Sequence, residues 1–233
     1  MPELVLLYDC ETNGTDPARD EVIEAAGILW DVGEASTVAG FSVTYRADTN
    51  AAEHINGIRP SLLQRRGTPP ADAWRRVQAW MERADVVIAH NAAFDRSFCP
   101  QPLQSLRPWV CTQDDVDWPY AGASRGLVDL LLAHGLGVSH AHRALVDVMN
   151  LARLFERCSD MGHLPADLLA KAMREKRRYR AITGRFDPSL NARLKEHGFR
   201  WDGDAREWWR RLAVEDVPGL KALYPFAIEE VPS

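Results

Sequence analysis

The opening of the chain limits the fold most. Within the first 46 residues three strand-length runs follow one another, "LVLLYD", "EVIEAAGILWD" and "TVAGFSVTYR", each rich in β-branched, aliphatic or aromatic residues. The second and third are separated only by the turn-like "VGEAS", a link too short for anything but an antiparallel return. An antiparallel meander is therefore expected at the N-terminus. The pattern then changes period. "ADAWRRVQAWMERA" places Trp74, Val77, Trp80, Met81 and Ala84 on one helical face, and the short apolar run "DVVIA" ends at His90 and Asn91 before a new helix opens. A helix that leads into a buried strand is a crossover. "RPWVCT" reads as one more short strand, "GLVDLLLAHG" as a helix, and "SHAHRALVDVMN" opens another helix, with Leu145, Val148, Leu151, Leu154 and Phe155 at helical spacing. To about residue 165 the chain is an α/β body, a mixed sheet flanked by helices.

A chain of 233 residues with 46% hydrophobic content can bury the core of one full domain and carry a small extra module. Cys10, Cys99, Cys111 and Cys158 lack CxxC spacing, and the N-terminus turns charged after a short apolar run that is neither signal peptide nor membrane span. A reduced, cytoplasmic protein with no membrane partner is expected. The formal net charge of -5 excludes a chain coated in basic residues, yet residues 171 to 185 hold Lys171, Arg174, Lys176, Arg177, Arg178, Arg180 and Arg185 against Glu175. That asymmetry points to a polyanionic partner.

The carboxylates fall in telling places. Asp9 and Glu11 stand two apart at the end of the first strand, so the alternation of a strand aims both at one face. Asp95 lies four residues after Asn91, in the first turns of a helix entered from "DVVIA", and sites in open sheets form outside strand ends such as this. Asp147 adds a carboxylate from the last helix of the body. Four converging anions repel one another unless a cation neutralises them. Hard oxygen donors of this kind suit Mg or Mn better than zinc.

Taken in order, "YDCET", "AHNAAFD" and "HRALVD" match DxE, HNAxFD and HxAxxD. Over about residues 3 to 160 the chain resembles the DnaQ-like DEDDh family of 3′-to-5′ exonucleases. The resemblance implies a ribonuclease H-like fold with a mixed five-stranded sheet whose first three strands are the meander. It also implies two Mg²⁺ or Mn²⁺ ions, about 4 Å apart in such sites, one activating water and the other stabilising the departing 3′-oxygen. Asp9 would bridge the ions, Glu11 and Asp147 would complete the nucleophile side, and Asp95 would hold the second ion directly or through water. His142 would be the general base, since imidazole titrates near neutral pH. A five-residue step on a continuous helix would turn His142 about 140° from Asp147. Both reach one site only if His142 precedes the helix or sits at its frayed start. His140 lacks the HxAxxD spacing and reads as a solvated loop residue, and a histidine rather than a YxxxD tyrosine marks the DEDDh branch.

Family members commonly carry a histidine in an HGI segment; this chain reads "HINGIRP", with Asn56 at that position and His54 two residues earlier. By motif position, Thr12, Asn56, Asn91 and Phe94 are the expected substrate contacts, with Phe94 equally readable as a core residue. The implied activity is hydrolysis of phosphodiester bonds from a free 3′ end, DNA ahead of RNA and single-stranded, releasing nucleoside 5′-monophosphates in repair, proofreading or end trimming. The alternative is a nucleic-acid-binding or polymerase-associated proofreading subunit with little autonomous activity. "QDDVDW", residues 113 to 118, faintly resembles a sliding-clamp peptide and so adds a clamp partner to the expectation.

The C-terminal part has no such resemblance. Residues 166–185 read as a basic linker or helix, and 186–233 as a small helix-hairpin module. In "DPSLNARLKEHG", Asp187 is the expected N-cap, Pro188 the first helical residue and Gly198 the C-cap, and "FRWDGDAREWWRRL" reads as a hairpin turning at Asp202 and Gly203. Trp201, Trp208 and Trp209 with Arg200, Arg206, Arg210 and Arg211 would suit stacking on single-stranded bases and pairing with phosphates; equally, the tryptophans would form the module's core.

Overall fold

In the computed structural model, which describes residues 1–120, 124–138, 141–183, 188–224 and 227–231, the three N-terminal runs become β1 (Leu4–Thr12), β2 (Val22–Asp31) and β3 (Ser36–Thr44), an antiparallel meander. α1 (Glu53–Asn56), α2 (Pro60–Arg66) and α3 (Pro70–Met81) lead into β4 (Val86–Ala89), which lies parallel to β1. α4 (Ala92–Phe98) and α5 (Gln101–Gln104) lead into β5 (Trp109–Cys111), parallel to β4. The sheet order is β3-β2-β1-β4-β5. α6 (Leu127–Ala133), α7 (Ala144–Asp160) and α8 (Pro165–Ala172) follow.

Strand alternation divides the interior in two. Val5 and Leu7 of β1 pack with Val148, Leu151 and Phe155 of α7, while Leu6 and Tyr8 pack with Ala73, Val77 and Met81 of α3. β2, covered on both faces, is buried from Val22 to Trp30, which is why its sequence is nearly continuous in apolar residues. Phe155 anchors the α7 side, its ring 5.5 Å from Trp30 and 5.0 Å from Trp118; such ring pairs add about 1 kcal/mol each beyond the area they bury. The helical phase of α7 differs from the expected one by a residue at its start. Ala144 is fully buried and Leu145 is 38% exposed, because the first turn is held against β2 and brings the smaller side chain inward.

The body also runs past residue 165. Leu168, Leu169 and Ala172 of α8 belong to the α7-side core, so the apolar face of this short helix completes the body and does not begin a linker. β6 (Lys176–Ile182) then starts a second sheet with α9 (Pro188–Glu196), β7 (Arg200–Asp202), β8 (Glu207–Ala213), a short 3-10 turn, α10 (Val217–Lys221) and β9 (Ala227–Glu230), in the order β7-β8-β6-β9. The basic run thus divides, with Lys171 ending in α8 and residues 176–182 forming an inner strand. Its period-two pattern turns Tyr179 and Ala181 into the module's core while Arg178 and Arg180 alternate with them. The helix and a β7–β8 hairpin are present, with the turn at 203–206 and Asp202 still in the strand opposite Glu207; Gly198 caps α9 at φ 75°, and Phe199 donates its N–H to Leu194 at 2.9 Å. Asp187 and Arg185 lie outside the described residues.

Four cations of the basic run have partners inside the module. Arg174 pairs with Asp216 at 2.7 Å, Arg177 with Glu230 at 3.2 Å, Arg178 with Asp202 at 3.0 Å and Arg180 with Glu229 at 3.2 Å. The charge asymmetry read from the sequence is largely cancelled by acids that are distant along the chain. The segment after β5 receives one more cation of the run and three from the hairpin: Lys176 and Arg211 pair with Asp115, Arg200 with Asp114 and Arg210 with Asp117, joining module to body. This same segment is "QDDVDW". Val116 and Trp118 are buried in the body core, which removes the apolar side chains a clamp peptide would have to present.

Candidate active site

Asp9 and Glu11 share the strand parity of Val5 and Leu7, so both face the side of the sheet that carries α7. Asp147 sits in the first turn of α7 and reaches back over its own N-terminus, where Oδ2 accepts the N–H groups of His142 at 2.9 Å and Arg143 at 3.3 Å. Asp9, Glu11 and Asp147 each offer an oxygen, and these oxygens lie within 4.8 Å of one another. Asp95 stands just behind. It is buried in α4, and its Oδ1 accepts the Cys10 N–H at 3.0 Å, which ties the helix start to β1 between the two strand carboxylates.

The electrostatics follow from this crowding. Burial, then Asp95, Asp147 and Glu11, push the Asp9 carboxyl well above the ordinary carboxylate range. Glu11 is pushed up to about 8 by burial and then by Asp147, Glu24 and Asp95, with Arg143 opposing. Asp95 rises to about 7, chiefly from burial, against the hydrogen bond from Cys10. Asp147 is raised by burial while the His142 and Arg143 N–H groups pull the other way. A cluster whose carboxyls are all raised by burial and most of them by mutual repulsion suits a divalent cation: hard oxygen donors, closely spaced, short of positive charge. The residues present fit Mg²⁺ or Mn²⁺.

His142 lies in the loop before α7, as the rotation argument requires, with an exposed side chain and a φ of 63°. That left-handed backbone is uncommon for a residue with a Cβ, and the hydrogen bond from its N–H to Asp147 helps to hold it. His140 lies outside the described residues. Among the expected substrate contacts, Asn91 is exposed at φ 73° immediately before α4, and Phe94 is half-buried with its ring 4.9 Å from Phe98. Thr12 is buried and donates its hydroxyl to the Gly14 carbonyl.

Asn56 does something else. It is buried, its Oδ1 accepts from Asn50 Nδ2 at 2.8 Å and from the Ile58 N–H at 3.0 Å, and its Nδ2 donates to the Thr12 carbonyl at 3.3 Å. The amide knots the α1 loop to the end of β1. The structure therefore brings Asp9, Glu11, Asp95, Asp147 and His142 together and turns the Asn56 amide inward, bonded to Asn50, Ile58 and Thr12.

The sequence reading missed Glu24. It lies opposite Glu11 in the β1–β2 register, is buried on the α7 face, and accepts Arg143 Nε at 3.0 Å, Arg143 Nη2 at 2.7 Å and the Ala144 N–H at 3.0 Å. One carboxylate thereby fixes the start of α7, from which Asp147 and His142 both hang. The signal was a single acid inside the otherwise apolar "VIEAAGILW". His90 was also passed over. It is pushed down to about 4 by burial, so it is neutral, and its Nδ1 lies 3.0 Å from Thr112 Oγ1 at the carboxyl end of β5.

A model of the RNase T exonuclease family matches residues 6–155. The chain is 26% identical over 170 residues to the PolC-type DNA polymerase III of Thermotoga petrophila, covering 67% of this chain and 12% of the polymerase. For the PolC-type polymerase of Oceanobacillus iheyensis the figures are 28% over 102 residues, 43% of this chain and 7% of that protein. Among solved structures, a zinc-bound E. coli exonuclease I in complex with single-stranded DNA superposes with a TM-score of 0.63 at 18% identity, covering 83% of this chain and 50% of that one. Exonuclease I of Methylocaldum szegediense gives 0.57 at 22%, covering 79% and 48%. The chain thus spans a small part of the polymerases and about half of these exonucleases. It belongs to the exonuclease family, with the ribonuclease H-like fold and the DnaQ-like DEDDh motifs of a metal-dependent 3′-to-5′ nuclease.

Proposed function

We propose that the chain removes nucleotides from the free 3′ end of single-stranded nucleic acid, DNA ahead of RNA, releasing nucleoside 5′-monophosphates with two Mg²⁺ or Mn²⁺ ions. The observation that carries this reading is the three carboxylate oxygens within 4.8 Å, with Asp95 behind them and His142 in the loop above. When bound, the ions supply the activation of the attacking water and the neutralisation of charge on the departing oxygen. Asp9, Glu11 and Asp147 would hold them, with Asp95 completing the second position. His142 accepts the proton of the attacking water at an imidazole nitrogen, and its exposed place before α7 leaves the ring free to reach solvent and substrate. Asn91 and Phe94, exposed and half-buried beside Asp95, line the approach to the terminal nucleotide.

The strand preference draws support from exonuclease I, whose complexes contain single-stranded DNA and oligonucleotides. A second reading is favoured by the PolC matches: a proofreading subunit that works beside a polymerase in a repair or replication assembly in the cytoplasm. One assay separates them. Matched linear and covalently closed single strands of DNA and RNA are incubated with Mg²⁺, Mn²⁺ or EDTA, with and without polymerase. Mononucleotides from linear strands only, and only with metal, are expected; cleavage of circles or full activity in EDTA overturns the reading.

A further inference from the structure

The C-terminal module carries a groove that the hydrolytic site does not explain. Trp201 of β7 and Trp208 of β8 are register partners on the sheet, their rings 5.6 Å apart. Trp208 is sunk in the module's core, whereas Trp201 leaves 52% of its surface in solvent. A core role accounts for the first and not for the second. Beside the bare indole, a groove of 840 Å³ is lined by Asn191 and Lys195 of α9, Arg180 of β6 and Arg206 of the β7–β8 turn. Arg180 is matched by Glu207 and Glu229. Lys195 and Arg206, both exposed, have no ion-pair partner among the described residues. They differ in this from Arg200, Arg210 and Arg211, which bind the aspartates of the body.

The groove continues. Lys195, Trp201 and Trp208 also line an adjoining cavity of 620 Å³ that runs between module and body to Gln113, Asp117 and Arg125. Gln113 follows the carboxyl end of β5, which lies two strands from β1 and so roughly 10 Å across the sheet from the catalytic carboxylates. An aromatic floor with unneutralised cations on its rim therefore leads toward the edge of the active site.

We propose that this groove holds single-stranded polynucleotide a few nucleotides from the end being cut, with a base stacked on Trp201 and phosphates against Lys195 and Arg206. The inference rests on the nuclease reading above and adds a second point of attachment to it. Stacking on an indole tolerates any base, and cations facing phosphate act through charge alone, so the grip is independent of sequence.

The test uses the full chain. Binding of oligothymidylate and oligouridylate of about 20 nucleotides, longer than the usual reach of one single-strand module, is measured in EDTA by fluorescence anisotropy. Trp201→Ala should weaken binding by about 5- to 100-fold, and Trp201→Phe should keep most of it. Lys195→Ala with Arg206→Ala should lower the slope of log affinity against log salt by about 1.4, at roughly 0.7 for each phosphate contact. This rim pair touches no core, so it tests the groove even if Trp201→Ala disturbs the module. Wild-type affinity and salt slope in both Trp201→Ala and the rim pair would overturn the proposal. The p-nitrophenyl ester of thymidine 5′-monophosphate, too small to span site and groove, reports separately on hydrolysis with Mg²⁺. If wild type cleaves neither ester nor oligonucleotide, the nuclease reading fails, while the binding data still decide the groove.

Discussion

Glu24→Ala should cost both stability and rate, and the structure sets how much. The substitution removes three hydrogen bonds from one buried carboxylate. The Arg143 side chain is 42% exposed and can return to water, so its pair contributes about 1 kcal/mol at most. The Ala144 N–H is in the buried first turn of α7 and loses a charged acceptor, at about 1.5 to 3 kcal/mol. Against these stands relief of repulsion, because Glu24 helps to raise Glu11 and Asp9. A net loss of about 2 kcal/mol lowers Tm by about 4 to 8 °C in a chain of this size. Since Asp147 and His142 both depend on the start of α7, kcat should fall about tenfold, equivalent to about 1.4 kcal/mol of transition-state stabilisation. Glu24 is not one of the three closely spaced donors, so the Mg²⁺ concentration for half-maximal activity should not rise. Glu24→Gln keeps an acceptor for Ala144 and should lose less on both counts. Thermal melts and steady-state hydrolysis of a single-stranded substrate give the three readouts. If Glu24→Ala melts within 1 °C of wild type, or loses activity only through weaker metal binding, Glu24 does not position α7 and the reasoning is wrong.

The raised carboxyls make stability depend on pH and metal together. Glu11 at about 8 and Asp95 at about 7 lie above their ordinary values of 4.5 and 3.8, so folding favours their protonated forms and, in EDTA, Tm should fall as pH rises from about 4 to about 8 and level off above that. Mg²⁺ at a hundred times its Kd should add about 2.7 kcal/mol and flatten that fall; a flat profile in EDTA would refute the crowded-anion account. Asp9→Ala should abolish turnover and the Mg²⁺-dependent rise in Tm, whereas His142→Ala should keep that rise and lose about 10²- to 10⁴-fold in kcat. Near-normal turnover of His142→Ala across neutral pH excludes the general-base role. Asp115→Ala leaves Lys176 buried without its carboxylate partner and should cost about 3 kcal/mol, seen as faster proteolysis between body and module; unchanged proteolysis would show that the joint does not depend on this pair.

Local chemistry alone was enough for the meander, the crossover into β4, and the parity that puts Asp9 and Glu11 on one face, because strand and helix periods are written in neighbouring residues. His142 needed one more premise: only if it shares a site with Asp147, as the resemblance implies, does the 3.6-residue period place it before α7, where it lies. Charge was not legible in this way. Read along the chain, 171 to 185 is a basic patch; in space Arg174, Arg177, Arg178 and Arg180 meet Asp216, Glu230, Asp202 and Glu229, acids that lie from 24 to 53 residues away. Composition counts charges but not their distances, and Coulomb energy depends on distance. For the same reason Glu24, a lone acid in an apolar strand, could be assigned a partner only once β2 lay under the first turn of α7. Asn56 had the motif position of a substrate contact, yet the loop folded around its amide, which bonds Asn50, Ile58 and Thr12. Among the three tail tryptophans the sequence could not choose, since a hairpin alone does not say which face a helix will cover. The packing of α9 and the cation stacking by Arg178 and Arg200 decide it: Trp208 inside, Trp209 between guanidinium groups, and Trp201 left facing water.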